Sequence, residues 1–130
     1  MQYVFPTSKV KRYRFPTHIN DLVVDRADAR TSEVFIVVLN PGEAPPLHRH
    51  NDTEQIFYVL AGQGVLRIGR KLTEFPVQTG DVVRIPPRTL HSIRCEGKKP
   101  LRYLAVDCFT GGRRTMNDRQ NNYAFPANFH

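Results

Sequence analysis

From position 33 to 109 the chain alternates short apolar runs with clusters of glycine, proline and small polar residues. The first run, EVFIVVL at 33–39, is β-branched and aromatic and stops at Asn40-Pro41-Gly42, which predicts a strand followed by a turn. The next, QIFYVLA at 55–61, meets Gly62-Gln63-Gly64 and then VLRI at 65–68. Two such runs flanking a glycine-rich turn predict a hairpin. Residues 72–77 predict a weak edge strand, because Pro76 cannot donate to a sheet ladder. Runs at 82–85, 90–95 and 101–109 follow, separated by Pro86-Pro87-Arg88 and then by Gly97 and Pro100. No stretch repeats its apolar residues with a helical period. Short strands at regular spacing, joined by Gly/Pro turns, predict an all-β sandwich or barrel.

The flanks read differently. Residues 1–32 predict an N-terminal arm with edge strands. Phe-Pro-Thr stands there twice, at 5–7 and 15–17, as in paired edge segments, and 22–24 is a further short strand candidate. Residues 110–130 read as a polar tail in which Tyr123, Phe125 and Phe129 are the residues able to dock. The barrel is therefore placed at 33–109, and a chain of 130 residues is sized for one domain with one core.

A formal charge of +7 raises the question of a nucleic-acid partner. The basic residues cluster only at Lys9, Lys11, Arg12 and Arg14, at Lys98 and Lys99, and at Arg113 and Arg114. No basic helix, zinc finger or aromatic–glycine RNA motif accompanies them. The reading is a solvated basic surface with no nucleic-acid partner; the residual alternative is weak steering of small anions toward a pocket. No apolar run reaches the roughly 20 residues of a membrane-spanning helix. The first fifteen residues lack the apolar core of a secretory signal. The expectation is a cytoplasmic protein with no membrane partner, in which Cys95 and Cys108 are reduced.

The chemistry concentrates in two segments, 42–62 and 80–95. His48 and His50 at i and i+2 of a strand point to one side, and Pro45 and Pro46 stiffen the approach to them. A third imidazole from a distant strand completes a facial set, and His91 is the candidate. An oxygen donor comes from Glu54 or Gln55, only one of which can point inward, because strand neighbours face opposite sides. Three neutral imidazoles and an oxygen suit a divalent transition metal: Fe, Mn, Co, Ni, Cu or Zn. The competing reading, histidines that line a pocket with no resident metal, is weaker. Polar rings inside an apolar barrel would then need other partners.

These segments resemble the two motifs of the cupins, small jelly-roll β-barrels. The first motif is matched by Gly42, five residues, His48-Arg49-His50, four residues, Gln55, six residues and Gly62. The second is matched by Gly80, five residues, Pro86-Pro87-Arg88, two residues, His91, three residues and Cys95. The resemblance implies a double-stranded β-helix over about 33–109, a metal held by His48, His50, His91 and a fourth ligand, and a homodimer. Three departures stand out. Arg88 replaces a turn glycine, which is tolerable if the backbone there needs no positive φ. Cys95 replaces an asparagine. Gln55 stands where the family glutamate would be. Glu54 fits the shorter spacing from His50, but the spacing to Gly62 favours Gln55. The His-His-Gln-His set is similar at the site to the uronate-processing cupins, and to some dioxygenase and lyase members.

Further candidates surround this set. Arg67 either clamps a substrate carboxylate or lies on the surface. Phe35, Phe57, Tyr58 and Tyr103 read as packing residues, one of them able to form a pocket wall. Cys95, at even spacing from His91, is either a thiolate ligand or redox thiol near the metal or, as free cysteines usually are, a small core residue. Asp107 is either a general acid or base or a satisfied rim carboxylate. No catalytic residue is singled out. The leading function is a metal-dependent isomerase or lyase acting on a small oxygenated anion such as a sugar acid or keto acid. The alternatives are an Fe(II) dioxygenase and a non-catalytic small-ligand binding module.

Overall fold

The computed structural model describes residues 2–111. Its nine strands are β1 (Lys11–Arg14), β2 (Ile19–Val24), β3 (Ser32–Leu39), β4 (Thr53–Ala61), β5 (Gln63–Ile68), β6 (Thr73–Gln78), β7 (Val82–Ile85), β8 (His91–Glu96) and β9 (Leu101–Phe109). There is no helix among the described residues. A six-stranded sheet runs in the order β1-β2-β3-β9-β4-β7, and a three-stranded sheet in the order β6-β5-β8. All the pairings are antiparallel. The two sheets enclose one core as a jelly-roll, double-stranded β-helix barrel.

The core follows from strand alternation. Phe35, Val37 and Leu39 of β3, Phe57 and Val59 of β4, and Leu101, Tyr103 and Ala105 of β9 form one buried face of the large sheet. Leu66, Ile93 and Cys95 meet them from the small sheet. Leu39, Val59 and Leu101 are fully buried. Each such aliphatic side chain contributes roughly 1.5–3 kcal/mol of hydrophobic stabilisation.

The hairpin expected at 55–68 does not form. β4 pairs with β7 and β9, whereas β5 pairs with β6 and β8. The chain crosses from one sheet to the other at Gly62. That residue takes φ +88°, and a Cβ there would run into the Pro100 carbonyl and lie 2.9 Å from Leu101 Cα. A glycine turn with long-range backbone packed against it is a corner, and the local pattern of a corner matches that of a hairpin.

The two Phe-Pro-Thr copies are not paired edge segments. Both stand outside the strands, one before β1 and one in the turn between β1 and β2. Those two strands pair with each other, and β2 continues onto β3 with a register shift between Leu22 and Val24. The tail aromatics Tyr123, Phe125 and Phe129 lie outside the described residues.

Candidate metal centre

His48 does not sit in a regular strand. The segment before it runs antiparallel to β8, and His48 exchanges two backbone hydrogen bonds with His91, at 3.1 and 2.9 Å. Ser92 Oγ donates to the Pro45 carbonyl at 3.0 Å, and Cys95 N donates to the Glu43 carbonyl at 3.1 Å. The His50 carbonyl accepts from Arg88 N at 2.6 Å. The two motif segments are thus joined by four backbone bonds and by the Ser92 side chain. Arg88 makes its bond at φ +59°. The backbone there does take the left-handed conformation, contrary to the tolerance condition drawn from the sequence. A side chain with a Cβ costs about 1–2 kcal/mol in that region.

The imidazole rings converge. Ring centroids are 4.4 Å apart for His48 and His91, 4.9 Å for His48 and His50, and 5.7 Å for His50 and His91. One ligand nitrogen from each of the three lies within 4.8 Å of the others, so they could hold a metal ion. Backbone carbonyls set two of the tautomers. His48 Nδ1 lies 2.8 Å from the Pro46 carbonyl and His91 Nδ1 lies 2.9 Å from the Thr89 carbonyl. A carbonyl only accepts, so Nδ1 carries the proton and Nε2 presents a lone pair. His91 is 1% exposed, and its buried Nε2 has no hydrogen-bond partner among the described residues. Burial drives the His91 pKa down to about 4, with His48 adding to the fall and the Thr89 carbonyl opposing it. Burial also lowers that of His48, against the Pro46 carbonyl. Both rings are therefore neutral at pH 7, the form that ligates metal.

Gln55 and Glu54 face opposite ways. Glu54 points outward and pairs with Arg84 at 2.8 Å. Gln55 is buried on the inner face of β4. Its Nε2 donates to Asp107 Oδ1 at 2.8 Å, and its Oε1 is buried without a hydrogen-bond partner among the described residues. Gln55 and the three histidines line one cavity of about 40 Å³, room for an ion and a few water-sized groups. Phe35, Phe57 and Tyr103 form part of its wall, with Val37 and Ile93. Burial keeps the Tyr103 hydroxyl protonated by raising its pKa, and nearby Asp107 adds to that effect.

Two wall residues escaped the sequence reading: His18, just before β2, and Asn20, its second residue. Both are buried. His18 stacks on Phe15 at 4.7 Å, and its Nδ1 lies 2.9 Å from Thr17 Oγ1. Its pKa falls to about 4, chiefly through burial, with His48 adding to the fall and Glu43 opposing it. The signal was faint: one histidine beside the second Phe-Pro-Thr and one asparagine in a short apolar strand.

The other candidates fall elsewhere. Cys95 shares the inner face of β8 with His91 but sits four residues along. Its thiol donates to the Lys99 carbonyl at 3.2 Å, and it belongs to the core instead of the cavity. Arg67 lies on the outer face of the small sheet beside Ser92 and Arg94, so the surface alternative holds for it. Tyr58 is not a packing residue: it is 46% exposed on the outer face of β4. Asp107 is no rim carboxylate, being fully buried behind Gln55.

The jelly-roll barrel and its inward histidine cluster define a small-barrel protein with a possible metal site. Residues 35–107 match the cupin domain family, and the chain belongs to that family. It is 38% identical over 63 residues to an uncharacterised protein of Methanocaldococcus jannaschii, covering 48% of this chain and 49% of that one. It is 37% identical over 68 residues to an oxalate-binding protein of Thermotoga maritima, covering 52% of this chain and 54% of that one. The matches therefore span about half the length of these two relatives. Among solved structures, a predicted oxalate decarboxylase from Thermotoga maritima superposes with a TM-score of 0.72 at 23% identity. That match covers 82% of this chain and 99% of the other.

Proposed function

We propose that the protein holds a divalent transition metal through His48, His50, His91 and the Gln55 carbonyl oxygen, and uses it to take a small oxygenated anion. The observation that carries this reading is a pair of buried atoms without hydrogen-bond partners among the described residues, His91 Nε2 and Gln55 Oε1, on the wall of one cavity. Leaving a polar atom buried and unsatisfied costs about 1–3 kcal/mol, which ligation removes. The donor set is neutral. A divalent ion, when bound, keeps its charge and supplies Lewis-acid stabilisation to chelated carboxylate or enolate oxygens. The small volume and the apolar wall residues Phe35, Val37, Phe57 and Ile93 favour a compact substrate. The oxalate-binding relative supports an anion of this kind. His18, neutral at pH 7, is the wall imidazole with a lone pair available to accept a proton in an isomerase or lyase step.

A second reading, a non-catalytic binding module, is favoured by the scarcity of proton-moving groups. Beyond the three histidines, His18 and Tyr103 are the titratable residues on the described wall, and Tyr103 stays protonated. Metal analysis of the purified protein and of His50→Ala tests the shared premise: the variant is expected to lose its metal. Unchanged metal content in the variant refutes the site. Small dicarboxylates, sugar acids and keto acids are then screened for stabilisation of the metal-loaded protein and for turnover. Turnover lost in His18→Gln while anion binding persists selects the enzyme; binding without turnover selects the module. Iron content with oxygen consumption would select the dioxygenase. A homodimer belongs to the same proposal and is read from light scattering.

A further inference from the structure

We infer that Asp107 is a positioning residue: it fixes the amide of Gln55 so that the carbonyl oxygen faces the histidines, and it holds behind the amide the negative charge that a glutamate would have placed on the metal. The inference rests on the proposed metal site and goes one layer deeper. An amide has a carbonyl end and an NH₂ end of nearly equal size, and nothing intrinsic to the side chain chooses which end faces a pocket. A carboxylate accepts and cannot donate, so the 2.8 Å contact of Gln55 Nε2 with Asp107 Oδ1 admits one orientation, with Oε1 on the opposite side. That Oε1 is buried without a hydrogen-bond partner among the described residues.

The arrangement belongs to a longer row. Glu33, Asp107 and Gln55 are lateral neighbours across β3, β9 and β4, all on the inner face. Glu33 and Asp107 are both fully buried. Arg26, also buried, places Nε 3.9 Å from Glu33 Oε2 and stacks its guanidinium 5.2 Å from the Phe109 ring centre. The row thus sets two buried carboxyl groups and one guanidinium behind Gln55, and the hydrogen bond to Asp107 aligns the amide dipole with its oxygen toward the histidines. The residue that departs from the family pattern thus comes with a compensating acid across the strand pair, and the two can be exchanged. Glu at 55 with Asn at 107 keeps one charge, one amide and one hydrogen bond.

Calorimetric titration with Co²⁺ tests this, together with the Co²⁺ absorption spectrum and the Gln55 side-chain amide signals of the metal-free protein by NMR. Asp107→Ala is expected to weaken Co²⁺ binding about 10- to 100-fold and to expose the Gln55 amide protons to exchange. Asp107→Asn, which keeps an acceptor and loses the charge, is expected to fall between it and the wild type. The double variant Gln55→Glu/Asp107→Asn is expected to bind at least as tightly as the wild type. It decides the matter if Asp107→Ala does not fold. Wild-type affinity in folded Asp107→Ala, or a double variant that binds more weakly than Asp107→Asn, overturns the positioning role while His50→Ala still upholds the metal site. A wild-type protein that takes up no Co²⁺ overturns both.

Discussion

At the scale of single residues, His91 shows how burial prepares a ligand. Its Nδ1 proton is committed to Thr89 and its Nε2 lone pair is sealed from water, so the ring resists protonation until the pH nears 4. In the unfolded chain the same ring takes up a proton near its ordinary value of 6.5. The folded pKa is depressed, so stability is complete above about 6.5 and falls as the pH drops through that window toward about 4. His18 behaves in the same way. We predict that the melting temperature of the metal-free protein declines by several degrees or more between pH 7 and pH 4.5, followed by circular dichroism, and that His18→Gln flattens part of the decline. The neighbouring pair 54 and 55 gives a second prediction. Glu54→Ala removes an exposed ion pair with Arg84 and leaves metal affinity unchanged, whereas Gln55→Ala lowers it about tenfold or more, both by metal titration. Arg88 supplies a third. Arg88→Gly relieves the left-handed strain at φ +59° and is expected to raise unfolding stability by up to about 1 kcal/mol in urea titration, once glycine's extra unfolded-state entropy is subtracted.

At the scale of elements, the corner at Gly62 governs the barrel. Gly62→Ala forces a side chain against the Pro100 carbonyl in a left-handed turn, and we predict a loss of about 2 kcal/mol or more by urea denaturation. What the sequence made legible follows from the same physics. EVFIVVL at 33–39 reads as a strand because its residues are β-branched and its neighbours break the run, and β3 occupies Ser32–Leu39. The His48, His50 and His91 convergence was legible because two glycine-bounded motifs carry it. The sheet change between β4 and β5 was not, since the atoms that forbid a side chain at Gly62 come from Pro100 and Leu101, far along the chain. His18 and Asn20 were illegible for a related reason. They reach the cavity because β2 pairs with β3, and no local pattern reports that pairing. The link between Gln55 and Asp107 likewise spans 52 positions and exists only through the β4–β9 register.

At the scale of the whole molecule, β1 and β2 extend the large sheet and bring His18 and Asn20 to the cavity wall. Removal of residues 1–24 would uncover Phe35 and Val37 and unseat that wall. We predict a truncated protein with a lower unfolding midpoint and faster water exchange at any bound paramagnetic ion, measured by proton relaxation. The placement of the proposed donors has a mechanical consequence as well. His91, with His48 bonded across from it, belongs to the small sheet, while Gln55 belongs to the large one. An ion gripped from both sides acts as a tie-rod between two plates that are otherwise held by apolar contact and a few chain crossings. Amide exchange along β4 and β8 would then slow together on loading, and the barrel's breathing amplitude would be set by occupancy of a single atom-sized position.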